Sequence, residues 1–85
     1  MDANQAAIVD ALRAVGASVT SLAKVGGGCP DLLVGYRGVN HVIEVKDGSG
    51  FTAAQKRWHS EWQGKAHVAN NVVEAMLIIG ARTFQ

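Results

Sequence analysis

Apolar residues at Ile8, Ala11, Leu12 and Val15 fall at i, i+3, i+4 and i+7, the stripe of an amphipathic helix. This predicts a helix over residues 4–15, capped by Asp2 or Asn4 and stopped by Gly16. The pattern then shortens. Residues 18–22 are β-prone, and residues 32–36 and 41–46 read as short buried strands, the second carrying Glu44 and Lys46 within an apolar run. The last two runs predict paired strands joined through Arg37-Gly38-Val39-Asn40, a hairpin connection of four or five residues. Helical spacing resumes at Thr52. Thr52 and Gln55 make a capping box, Phe51, Trp58 and Trp62 make an apolar stripe, and Gly64 is the expected stop. Residues 65–69 read as a fourth strand. Asn71 and Glu74 read as a second capping box, opening a helix whose broad apolar face is Val72, Met76 and Ile79 with Val73 and Leu77 beside them. The expected order is α-β-β-β-α-β-α, an α/β fold over residues 1–85 as a single domain.

Composition adds one consequence. Apolar residues are 48% and charged residues 18% of the 85. A chain of this size buries only about 60% of its unfolded surface. So lean a polar surface on so small a core predicts pairing with a second copy, a homodimer. Trp58 and Trp62 are then read as core or dimer contacts, with base stacking as the alternative. The net charge of +1 does not by itself announce nucleic acid, so DNA affinity would rest on local placement of Lys and Arg. The single cysteine, Cys29, excludes an intrachain disulfide framework and reads as a small apolar packing residue, with a nucleophile or metal ligand beside Pro30-Asp31 as the alternative. No Cys/His cluster has zinc spacing. Residues 1–5 show no basic segment leading into an apolar one, and no apolar run approaches the ~20 residues of a membrane span. A cytoplasmic protein without membrane contact is expected.

Candidate chemistry gathers on the paired strands. Asp31 stands at the mouth of one and Glu44-Val45-Lys46 ends the other. Glu44 and Lys46 share a strand face about 7 Å apart, and pairing of the strands would bring Asp31 onto Glu44. Two hard oxygen donors beside an ammonium suit Mg²⁺ and a phosphate. Gln55 reads either as a helix cap or as a group pointing into that site. Lys24 and the run Gly26-Gly27-Gly28 read either as a loop or as a backbone contact to nucleic acid; no Gly-Lys-Ser/Thr follows, so this is not a nucleotide phosphate loop. Lys56, Arg57 and His59 lie off the aromatic stripe, to meet phosphate or solvent.

Taken together, Gly28-x-Pro30-Asp31-Leu32, Ile43-Glu44-Val45-Lys46 and Thr52-x-x-Gln55-x-x-Trp58 resemble the virus-type replication-repair nuclease (VRR-NUC) domain of the PD-(D/E)xK superfamily. The resemblance spans residues 4–79. It implies a small restriction-endonuclease-like core, a mixed sheet flanked by helices, and Mg²⁺- or Mn²⁺-dependent hydrolysis of DNA. On that resemblance Asp31, Glu44 and the backbone carbonyl of Val45 are metal ligands, Lys46 handles the attacking water and phosphate charge, and Gln55 supports the site. The family's acidic residue on the first helix is replaced by Gln5, an uncharged ligand candidate, with Asp2 a weaker substitute. Lys24, Gly27, Gly28, Lys56 and Arg57 become DNA-contact candidates. Minimal members of the family resemble dimeric Holliday-junction resolvases, which implies branched DNA as the partner and a bacterial or phage-infected cell as the setting. A flap- or end-processing nuclease, a DNA-binding module without metal chemistry, and a structural partner in a repair complex are the alternatives.

Overall fold

The computed structural model describes residues 2–81; residue 1 and residues 82–85 of the expected 1–85 domain lie outside the described residues. The elements are α1 (Ala3–Ala14), β1 (Ser18–Ser21), β2 (Leu32–Tyr36), β3 (Val39–Val45), α2 (Ala53–Glu61), β4 (His67–Ala69) and α3 (Val72–Ile79). One mixed sheet runs β1-β2-β3-β4. β1, β2 and β3 are an antiparallel meander, and β4 joins β3 in parallel. A parallel neighbour requires a crossover, which α2 supplies. Among the described residues no helix is long and apolar enough to cross a membrane.

Strand alternation divides the sheet into two faces. Leu32, Val34, Ile43 and Ala69 point to one face and are fully buried against Ile8, Val9 and Leu12 of α1 and Ala75, Met76 and Ile79 of α3. Burying the Leu, Ile, Val and Met side chains of this layer is worth about 1.5–3 kcal/mol each, and the two alanines contribute less. Asp2 caps α1 by accepting from Gln5 N at 2.7 Å, leaving Asn4 for another use. The apolar face of α3 is narrower than its sequence suggests: Val73 and Leu77 are 62% and 74% exposed, because α3 meets the sheet and α1 on one side only. Its second capping box is half made. Asn71 accepts from Glu74 N, but the Glu74 carboxylate accepts from Asn70 N at 2.7 Å instead of returning to Asn71.

The hairpin is tighter than expected. Val39 and Asn40 belong to β3, pairing with Tyr36 and Gly35, and the connection is Arg37-Gly38 alone. Both turn residues have positive φ (50° and 80°), the signature of a type I′ turn, whose twist matches that of paired strands. Arginine is an uncommon occupant of such a position, which is why the sequence reads as a longer loop.

The greatest departure is α2. None of its residues is buried, and Trp62, expected as a core or dimer contact, is 48% exposed and so does not belong to the core. Trp58 and Trp62 stack on each other, ring centres 4.6 Å apart at 16°. The helix stops at Glu61, before Gly64. Trp62 turns to extended backbone and lays its indole over Gly64, where a Cβ would stand 2.9 Å from Nε1. The other end of α2 is fixed by Gly28. With φ at +83°, Gly28 approaches the first turn of α2 so closely that a Cβ would fall 2.2 Å from the Ala54 carbonyl oxygen. The tight approach that the glycine run suggested is thus, at Gly28, an approach to this chain's own helix.

Candidate active site

β2 pairs with β3 in a register that matches Leu32 with Ile43. One step further sets Asp31 opposite Glu44. Asp31 lies just beyond the end of β2, behind the buried ring of Pro30. It serves as a side-chain substitute for the next ladder acceptor: its Oδ2 accepts from Val45 N at 2.7 Å. The backbone stays stitched through Asp31, with Leu22 N donating to its carbonyl oxygen at 2.7 Å.

Glu44 points away from the apolar core layer, yet is only 1% exposed. Its carboxyl is pushed up to about 8, first by burial, then by hydrogen bonding and charge repulsion from Asp31, with Lys46 opposing. Burial and the neighbouring Asp31 therefore favour the neutral form of the Glu44 carboxyl in the metal-free protein near neutrality. One oxygen of Glu44, Oε2, accepts from Gln55 Nε2 at 3.4 Å. The other, Oε1, is buried without a hydrogen-bond partner among the described residues.

Lys46 follows the last residue of β3 and keeps the ladder running, its N donating to Ala69 O at 2.9 Å. Its Nζ donates to Gln55 Oε1 at 2.7 Å and to Gly50 O at 3.1 Å, and sits 5.0 Å over the Phe51 ring. Gln55 answers the sequence's either-or with both roles at once. Its Oε1 accepts from Thr52 N to complete the capping box and from Lys46 Nζ, while its Nε2 reaches Glu44. One amide thereby links the acid and the base of the site, which form no direct ion pair among the described residues.

These groups border an open cleft of about 220 Å³. Asp31, Glu44, Val45, Lys46 and Gln55 form one side, and Asp2 and Gln5 at the start of α1 form another. Asp47 and Ser49 stand at its rim, where Ser49 hydrogen bonds lower the Asp47 carboxyl below its ordinary range. Lys24, Gly27, Lys56 and Arg57 are exposed and outside this lining, and Gly28 is engaged with α2.

No protein-family model matches the chain, and neither a curated protein nor a solved structure matches it. The cleft presents the carboxylates of Asp2, Asp31 and Asp47, with the Glu44 carboxyl that a cation would ionise, against one ammonium, Lys46. Such a lining attracts a cation before it admits a phosphate. Among the described residues no cage of three or more His, Cys, Asp or Glu side chains exists. The donors for a metal are the Asp31–Glu44 pair, with the Val45 carbonyl and the Gln5 amide as neutral oxygens on the same cleft. All are hard oxygens, the set that Mg²⁺ and Mn²⁺ prefer, so the residues fit the ion that the sequence resemblance implies.

Two site neighbours are not legible as such in the sequence. Asn4, a cap candidate by type, sends its Nδ2 to Lys46 O at 2.7 Å and Asn70 O at 3.1 Å, tying α1 to the strand ends that carry the site. His59, a candidate phosphate contact by sequence, turns inward, its Nε2 lying 3.8 Å from Glu44 Oε1. Their only signal is spacing: His59 lies one helical turn after Gln55.

Proposed function

We propose that this protein is a Mg²⁺- or Mn²⁺-dependent, structure-selective endodeoxyribonuclease of the VRR-NUC type, acting as a homodimeric Holliday-junction resolvase. The observation that carries the nuclease reading is the buried Glu44 set against Asp31, with Lys46 and Gln55 bonded to each other at the same cleft. Asp31 and Glu44, with the Val45 carbonyl, would hold the ion, and Gln5 is the further oxygen within the cleft. The bound ion supplies Lewis acidity at the scissile phosphate. Lys46 then acts on charge. Two of its three ammonium protons are engaged by carbonyl oxygens, and the third is left for a phosphate oxygen that gains charge as the bond to water forms. Gln55 holds that ammonium at a fixed point, so little reorganisation is needed when charge develops.

The resolvase reading rests on the resemblance and on the apolar surface left outside the core. Leu33, Trp62 and Val68 lie exposed on the sheet and just beyond α2, an arrangement that suits burial against a second copy. Two sites at fixed separation would make paired nicks across a junction. A second reading, a DNA-binding module without cleavage, is favoured by the neutral Gln5 where a third acidic ligand would strengthen the ion's hold.

The test is cleavage of a labelled four-way junction beside a duplex and a flap of the same sequence, with Mg²⁺, Mn²⁺ or EDTA. Paired symmetric nicks in the junction alone are expected, absent in EDTA and in Lys46→Ala, which still binds the junction. Cleavage favouring the flap or duplex would retain the nuclease and discard the resolvase. Tight binding without cleavage in either metal would select the binding module.

A further inference from the structure

Glu44 Oε1 and His59 Nε2 are both buried, both lack a hydrogen-bond partner among the described residues, and face each other across 3.8 Å. That is an ion-pair distance just beyond hydrogen-bond range. Leaving either atom unmatched costs about 1–3 kcal/mol, so two such atoms turned toward one another are complementary, not incidental. The geometry points to His59 as a positioning residue that, together with Gln55, clamps the two oxygens of Glu44 in the orientation that receives the divalent ion. This inference rests on the metal-dependent reading given above.

The clamp is built by helix geometry. Gln55 and His59 are i and i+4 on α2, one above the other on a single face. Gln55 Nε2 takes Oε2 and His59 Nε2 faces Oε1, one donor for each oxygen. The tautomer with its proton on Nε2 is the donor this requires. The imidazole plane is held from two sides by ring edges: Phe51 at 5.3 Å and 65°, and Trp58 at 5.3 Å and 74°. Phe51 also underlies Lys46 Nζ, so the ring that steadies His59 steadies the ammonium as well. A carboxylate fixed at both oxygens loses no rotamer freedom when the ion binds, and donors behind metal ligands commonly govern affinity by 10–100-fold, roughly.

The experiment is a calorimetric titration of the DNA-free protein with Mn²⁺, using wild type, His59→Phe and His59→Gln, with unfolding in EDTA measured alongside. His59→Phe keeps the ring between Phe51 and Trp58 and removes the donor. His59→Gln restores an N–H donor without the ring. The expected result is about tenfold weaker Mn²⁺ binding by His59→Phe and recovery to near wild type by His59→Gln. These affinities should not follow the EDTA unfolding midpoints, which report packing. Equal affinity in wild type and His59→Phe, or His59→Gln as weak as His59→Phe, overturns the clamp while leaving the metal site intact. Absence of Mn²⁺ binding by wild type overturns the metal reading itself, and the clamp with it.

Discussion

Replacing Glu44 with glutamine should stabilise the metal-free protein at alkaline pH and leave it nearly unchanged in acid. The folded carboxyl titrates at about 8 against an ordinary 4.5, held there by burial and by Asp31. Between those values the native state binds more protons than the unfolded chain, so stability falls as pH rises through the window. Below it both states are protonated and the penalty vanishes; above it the penalty is complete. At about 1.4 kcal/mol per unit, the difference corresponds to a ceiling of roughly 5 kcal/mol. Water entry and relaxation around the ionised pair reduce this, and about 2–3 kcal/mol is the working expectation. For a domain of this size that is a shift of roughly 10–20 °C in Tm. Glutamine is isosteric and stays neutral at every pH of the assay. The assay is thermal or urea unfolding in EDTA at about pH 5 and about pH 9, wild type against Glu44→Gln. Wild type should lose stability across that interval relative to the variant, and adding Mg²⁺ at the alkaline end should restore wild type only. Parallel pH profiles for the two proteins would refute the placement of Glu44 as a buried acid pressed against Asp31.

Gly28→Ala combines a strained positive φ with a Cβ 2.2 Å from a backbone oxygen, so it should destabilise by more than about 2 kcal/mol in urea unfolding and weaken junction cleavage, since α2 must move away; a loss under about 0.5 kcal/mol would deny the close approach. Arg37→Asn places a residue suited to positive φ beside Gly38 and should gain about 0.5 kcal/mol, after the Arg37–Tyr36 stacking contact at 5.2 Å is subtracted. A net loss in the unfolding midpoint would show that contact to outweigh turn strain.

The sheet and its flanking helices were legible because strand and helix periods differ and their borders carry strong signals: Gly16, the Thr52–Gln55 box, and Gly80 with φ at +77°. Asp31 and Glu44 converge because β2 and β3 pair as neighbours, which the strand pattern allowed, but the register that sets them opposite each other comes from the two-residue turn and differs by two residues from that of a four-residue connection. What the pattern concealed was physical in origin. An arginine in the left-handed region hides a two-residue turn. The aromatic spacing of Trp58 and Trp62 looks like a core stripe, yet these rings find each other instead of the sheet. Val73 and Leu77 are apolar at helical spacing, but periodicity marks a face without saying whether anything lies against it. Asn4 and His59 act on groups some 42 and 15 residues away in the chain, a distance at which local pattern carries no information.

A helix with no buried residue is attached by something other than a hydrophobic face. For α2 the attachments are the Gln55 amide, the His59 imidazole and the close seat of Gly28 against its first turn. The crossover is therefore a separable unit of local stability, able to open while the layer between α1, α3 and the sheet stays folded. Its amide hydrogens should exchange ahead of those of β2 and β3, at a rate set by the electrostatics of Asp31, Glu44 and Lys46. A cation that neutralises that cleft is then expected to slow amide exchange in α2, so that assembly of the site and docking of the helix are read in one measurement.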